Sequence, residues 1–304
     1  MLKKILPAKI VNIIEQKLNY EKLFELRFRS RRKISVNYDG KFYYLSEKGL
    51  SNSVFDGIEA DKQFLNDIIV KASDYSLYTV NRNVCDGFIT INGGIRIGIA
   101  GEYVWENGEI KTVKNFDGLT IRIPHEAKGC AEKLLRPVTD GGIHNSLIIS
   151  PPGCGKTTML RDMCRLISSL GAGYNVLLID ERCEIAASSG GIPQLDVGNN
   201  VDIISNCTKE AAILRGIRSM NPRVIITDEL ATKDDIEAVY AAVCCGVKVI
   251  ASVHAADIYD LMNKVYFDRA IKHRLFTRYA LLSDKPSIGT LSGIYDENFS
   301  EVYR

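Results

Sequence analysis

Ile148-Ile149-Ser150-Pro151-Pro152-Gly153-Cys154-Gly155-Lys156-Thr157-Thr158 reads as a buried strand, a tight loop of Gly and Pro, and the opening of a helix predicted over 159–170. A phosphate chain calls for this order of elements. Gly153 and Gly155 let backbone N–H groups turn inward with no Cβ in the way, and the helix N-terminus adds the positive end of its dipole. Lys156 is placed to reach the β- and γ-phosphates, Thr157 to set its hydroxyl on Mg2+, and Thr158 to cap the helix and touch phosphate, with Pro152 and Cys154 completing the loop. The strict pattern G-x-x-x-x-G-K-[ST] fails at its first position, where Ser150 stands. The two prolines offer another way to fix the turn out of the strand. A chance Gly-Lys-Thr at a helix start is the alternative, and the strand–loop–helix context argues against it. The stretch is a P-loop.

Outward from it, strand and helix alternate. Gly171-Ala172-Gly173 reads as a helix stop. Residues 175–180 (Asn-Val-Leu-Leu-Ile-Asp) form a continuous apolar run, as expected of a strand buried on both faces of a parallel sheet. A helix over 208–220, a third strand over 224–229, a helix over 234–244 and a fourth strand over 247–253 follow. Open parallel sheets present their chemistry at the strand C-termini, and the polar residues of interest collect there. Two acid pairs, Asp180-Glu181 and Asp228-Glu229, compete for the metal and water roles. Asp228-Glu229 is preferred, because Val-Ile-Ile-Thr runs unbroken into it: Asp228 to hold Mg2+, Glu229 to polarise the attacking water, with Asp180 and Glu181 on the edge of the same pocket. His254 ends the fourth strand. It is read either as a γ-phosphate sensor or subunit link, or as a satisfied polar neighbour.

The front part is α+β. Ile10, Ile13, Ile14 and Leu18 recur at helical spacing, and Phe24, Leu26 and Phe28 alternate with Glu25, Arg27 and Arg29 as in a half-buried strand. Tyr38-Asp39-Gly40-Lys41 reads as a hairpin turn, Phe64 to Ala72 as a helix, and Asn92-Gly93-Gly94 and Asn107-Gly108 as turns of an antiparallel sheet continued over 119–123. A helix near 128–135 and a turn-rich stretch over 137–145 close this part. Tyr75, Tyr78 and Phe88 have the shape to stack bases, but core and turn packing is the preferred reading of them.

With 304 residues, 46% hydrophobic and 25% charged, the chain matches one large or two ordinary globular domains. Residues 1–136 carry 22 Lys+Arg against 17 Asp+Glu, and residues 137–304 carry 17 against 20. A front of +5 is too weakly basic to single out nucleic acid, lipid or an acidic partner. Eight cysteines include no C-x-x-C, and four scattered histidines give no zinc spacing. Neither a signal peptide nor an 18-residue apolar run is visible, so a cytoplasmic protein is expected.

The 150–162 run, Asp180-Glu181-Arg182, residues 192–197, residues 217–222 and Asp228-Glu229 resemble the stage III sporulation protein AA family, which is similar to the hexameric motor ATPases of type II and type IV secretion. The front resembles it too, through residues 25–29, Gly87 to Thr90, Gly93 to Gly98, Ala100-Gly101 and residues 121–123. The resemblance covers nearly the whole chain. It implies an α/β chain with a RecA-like P-loop ATPase domain and mainly parallel sheet over 137–304, preceded by a smaller α+β domain with an antiparallel sheet over 1–136. It also implies ATP and Mg2+ as ligands, a hexameric ring, and a polytopic membrane partner that draws the protein to the mother-cell face of a channel into the forespore. Asp180-Glu181 match the family's acid-rich box and His254 its His box; Arg27, Arg29, Arg96 and Arg122 are candidates to cover the phosphates. Two departures stand out: Asp228 precedes Glu229 where secretion motors usually carry Gly, and Ala255 follows His254 where Gly or Thr is usual. The expected function is Mg-dependent ATP hydrolysis powering a secretion-like channel or assembly during sporulation. A nucleic-acid-binding ATPase and a nucleotide-gated scaffold without turnover are the alternatives; the weak charge and the acid pairs weigh against them.

Overall fold

A computed structural model describes residues 2–73, 87–91, 93–171 and 173–303. The stacking candidates Tyr75 and Tyr78, with Asn92 of one turn and Ala172 of the helix stop, lie outside the described residues. The chain divides into two compact units, Met1–His125 with Ser189–Gln194, and Glu126–Ser188 with Leu195–Arg304.

In the first unit, strands β1 (Leu23–Arg29), β2 (Arg32–Lys33), β3 (Ser35–Tyr38), β4 (Lys41–Ser46), β5 (Gly49–Ser51), β6 (Glu59–Ala60), β7 (Phe88–Ile91), β8 (Ile95–Glu106) and β9 (Glu109–Arg122) follow in chain order. β2 pairs with β6; the others form one antiparallel sheet ordered β5-β4-β3-β1-β9-β8-β7. Period-two alternation decides its faces: Leu26, Phe28, Ile97 and Ile121 are fully buried. Against them pack Ile10, Ile13 and Ile14 of the helix Ala8–Lys17, and Leu65, Ile68 and Ile69 of the helix Lys62–Ala72. Asp61 caps the latter, accepting from Phe64 N–H at 2.7 Å. The Asp39-Gly40 and Asn107-Gly108 turns both carry the paired positive φ angles that a two-residue hairpin needs. The 119–123 segment is no separate strand but the end of the long β9. Arg27 and Arg29 alternate along β1, Arg122 lies opposite both Glu25 and Arg96, and the buried Glu25 carboxylate pairs with Arg27 and Arg122. Gln194, from the segment that belongs with this unit, accepts from Gly93 N–H at 2.6 Å.

The second unit holds β10 (Ser146–Ser150), β11 (Val176–Asp180), β12 (Val201–Ser205), β13 (Val224–Thr227), β14 (Lys248–His254), β15 (Arg278–Ser283), β16 (Thr290–Tyr295) and β17 (Glu301–Tyr303). The sheet runs β12-β11-β13-β14-β10-β15-β16-β17, parallel from β12 through β15, with β16 and β17 antiparallel. The apolar runs of β10, β11 and β13 are buried throughout, as expected of strands covered on both faces. Leu147, Ile149, Leu177 and Ile225 face one layer with the helices Lys209–Met220 and Lys233–Cys244, while Ile148, Leu178 and Ile226 face the helix Lys156–Ser168. Gly216 lets Lys209–Met220 come close to the sheet: a Cβ there would lie 2.1 Å from Leu177 Cδ2. The helix expected near 128–135 instead spans Glu132–Thr139, with Pro137 inside it. Its early part is a turn closed by Cys130 N–H on Ala127 O, and Pro137 stands two residues before the helix end.

Thr227, fully buried at the end of β13, has a hydroxyl with no hydrogen-bond partner among the described residues. Thr227→Val keeps the shape and removes that cost, so stability should rise by about 1 kcal/mol. The check is a higher urea midpoint at unchanged m; a lower midpoint would overturn the reading.

Candidate active site

β10 delivers the chain into the loop through the buried Ser150. Gly153 (φ +79°) and Gly155 (φ +85°) take left-handed conformations, and Gly155 is the N-cap of the helix Lys156–Ser168. A residue without a side chain at the cap leaves the first-turn N–H groups facing a ligand.

Lys156 is buried and folds back over this loop. Its Nζ donates to Ser150 O and Pro151 O at 2.9 Å each, to Ser150 Oγ at 3.1 Å and to His254 Nδ1 at 2.8 Å. Burial lowers its pKa. Ser150, which breaks the expected pattern, thus supplies the lysine with an acceptor that glycine lacks. Because Nδ1 of His254 accepts, the ring proton sits on Nε2, which faces Glu229 Oε1 at 3.5 Å. Burial first, and then the Lys156 charge, hold the His254 pKa below the usual imidazole value.

Asp228 and Glu229 lie just past the end of β13. Glu229 has φ +36°, donates its N–H to Ser252 Oγ at 3.0 Å, and receives Arg182 Nη1 on its carboxylate at 3.0 Å. Asp228 is 6% exposed, and its pKa is pushed up to about 6. Burial is the main cause; Asp180, Glu184 and Glu229 add to it and Lys209 opposes it. Asp180 is spent on structure: its two oxygens accept from the N–H groups of Glu184, Ile185 and Ala186 at 2.8, 3.1 and 2.8 Å. Arg161, on the P-loop helix, holds the same turn through the carbonyls of Glu184 and Ile185. Glu181 pairs with the buried Lys209.

These elements surround a cavity of about 380 Å3, within the range of small-ligand sites. Pro152, Gly153, Gly155, Lys156, Thr157 and Thr158 form one wall; Asp228, Glu229 and His254 face them. Cys154, Asp180 and Glu181, read from sequence as site residues, are not in the lining. Arg182, Glu184 and Ser252 are, although the sequence assigns none of them a site role. Ser252 was findable, since it lies two residues before His254 on the same face of β14; Glu184 is presented only by the turn that Asp180 ties. No group of three or more His, Cys, Asp or Glu residues arranged for a metal exists among the described residues, whose seven cysteines are free.

Asp228 carries a pH signature. An unfolded aspartate titrates near 3.9, so the raised folded pKa disfavours its charged form in the fold. The penalty is absent below about pH 4, grows to about pH 6, and is complete above it. Asp228→Asn, with EDTA and no nucleotide, should gain about 3 kcal/mol of stability near pH 7.5 and almost nothing near pH 4. Urea titrations at both pH values check this; equal effects at the two would refute it.

The family described as sporulation stage III, protein AA matches residues 1–302. Over 308 aligned residues the chain is 36% identical to stage III sporulation protein AA of Bacillus subtilis (strain 168), covering 99% of this chain and 96% of that one. Among solved structures it is similar to the pilus retraction motor PilT with bound ADP, at TM-score 0.60 and 13% identity over 91% of this chain and 78% of that one. It is also similar to the ATPase DotB of Legionella pneumophila, at TM-score 0.55 and 13% identity over 91% of this chain and 76% of that one. At such identities the likeness concerns the fold: a RecA-like domain with a mostly parallel sheet, preceded by an α+β domain with an antiparallel sheet.

Proposed function

The chain belongs to the stage III sporulation protein AA family, and from that premise we propose that it is a Mg2+-dependent ATPase whose turnover powers a secretion-like channel or assembly between mother cell and forespore. The observation that carries the reading is Lys156, set in a left-handed glycine loop, facing Asp228 and Glu229 across one cavity. Lys156 and the loop N–H groups hold the β- and γ-phosphates; charged phosphate oxygens outcompete the carbonyls and imidazole that Lys156 now contacts. Thr157 and Asp228 are the residues that would hold Mg2+. The donor set fits: a hydroxyl and one buried carboxylate suit an ion that keeps waters and phosphates in its shell, and Asp228, crowded by other acids, is a group whose ionised form a dication favours. Bound there, Mg2+ would neutralise charge developing on the β- and γ-oxygens. Glu229 orients and polarises the attacking water, after loosening from Arg182 and His254. Asp180 and Glu181 act from behind, by fixing the 184–186 turn and holding Lys209, and His254 links Lys156 to Glu229.

Turnover moves the two units against each other in a hexameric ring that docks from the cytoplasm on a polytopic membrane partner. This rests on the family and the motor fold. No helix among the described residues is long and apolar enough to cross a membrane, so attachment through a partner is consistent with the chain.

Phosphate release from Mg-ATP should be abolished by Lys156→Ala and reduced at least about 100-fold by Glu229→Gln, the latter retaining nucleotide binding. Full turnover in Glu229→Gln would support a scaffold that does not use this acid. Light scattering with a non-hydrolysable ATP analogue should give about six times the 33.8 kDa chain mass; a monomeric mass would reject the ring.

A further inference from the structure

The sheet order fixes the direction in which a nucleotide would lie. Asp228, Glu229 and His254 come from the ends of β13 and β14, on one side of β10. The terminal phosphate, which those acids would serve, therefore points that way. The nucleoside must leave the phosphate loop on the other side, where β15 is the neighbour of β10 in register Ile149 to Leu281. The loop joining β15 to β16, residues 284–289, reaches back to the phosphate loop. A Cβ placed on Gly155 would lie 3.3 Å from Gly289 Cα and 3.4 Å from Ile288 Cγ2. The turn is tied by Thr290, whose Oγ1 and N–H both donate to Ser287 O, at 2.7 and 3.2 Å. At its tip Ile288 is 70% exposed, a large aliphatic side chain left in water beside the N-cap of the P-loop helix.

We propose that Ile288 is the shelf on which the nucleotide base lies, a subsite that rests on the ATPase reading above. The β15–β16 turn supplies an apolar surface of fixed height beside Gly155, and covering it with a planar base removes apolar area from water on both partners. An isoleucine side chain has no hydrogen-bond donor or acceptor, so the shelf holds purine bases without choosing strongly between adenine and guanine. Selectivity, where it exists, has to come from elsewhere.

The test is binding of Mg-ATP, Mg-GTP and inorganic tripolyphosphate to the full chain, measured by calorimetry on wild type, Ile288→Ser, Ile288→Leu and Lys156→Ala. Ile288→Ser should weaken ATP and GTP by about fivefold each, the loss expected from roughly half an aliphatic side chain, and leave tripolyphosphate unchanged. Ile288→Leu should restore nucleotide affinity, and Lys156→Ala should weaken all three ligands. Unchanged ATP affinity in Ile288→Ser, with Lys156→Ala still defective, would overturn the shelf alone. Equal weakening of tripolyphosphate would overturn it too, since the turn would then be acting on the phosphate loop. A wild type that binds none of the three would reject the ATPase reading and the shelf with it.

Discussion

One ammonium group ties the second unit's chemistry together. Lys156 Nζ meets acceptors from the end of β10, from the loop after it and from the end of β14. A buried charge has few ways to be satisfied, and here every one lies at a strand end or in the P-loop. The contact exists because β10 and β14 are parallel neighbours with Ser150 opposite His254. Any other strand order would part the lysine from the imidazole. Through His254 the same contact continues to Glu229, and through Glu229 to Arg182. The groups proposed to bind phosphate and those proposed to act on water are thus linked by one series of hydrogen bonds and close polar contacts.

The acids are held apart by different means. Asp180 is met by three backbone N–H groups and Glu181 by Lys209, whereas Asp228 is buried with acids around it and the Lys209 charge opposing their effect. Burial among like charges raises a carboxyl's pKa, and such perturbed groups cluster at functional sites. Two acid pairs that look alike in sequence have therefore been given opposite tasks: the first pair builds the wall, the second faces the cavity.

That difference marks the limit of what the sequence discloses. The P-loop is contiguous, and its glycines, lysine and threonines act through local backbone geometry, so all of it could be read in place. The buried parallel strands were legible for the same reason, because continuous apolar runs have one common explanation. The role of Asp180 was not, since it depends on a turn at 184–186 that no motif announces and on Arg161 gripping that turn from another element. The Ser189–Gln194 segment, interrupting the second unit yet counted with the first, has no local signature either. Nor did the strands β15 to β17 show themselves, because Thr, Ser, Gly and Tyr dilute their apolar alternation and β15 joins the parallel sheet through β10, more than a hundred residues earlier.

Glu229 shows how the site is held once formed. A left-handed φ costs a non-glycine residue about 1 kcal/mol or more, and Glu229 carries one. The turn is secured from β14. Ser252 accepts the Glu229 N–H and His254 approaches its carboxylate, two side chains at alternate positions on one face of one strand. Leu230 N–H closes the same turn on Ser252 O. The acid is therefore positioned by the pairing of β13 with β14 rather than by its own loop. Since β14 also carries the imidazole that meets Lys156, one strand contacts both the lysine of the P-loop and the acid at the end of β13.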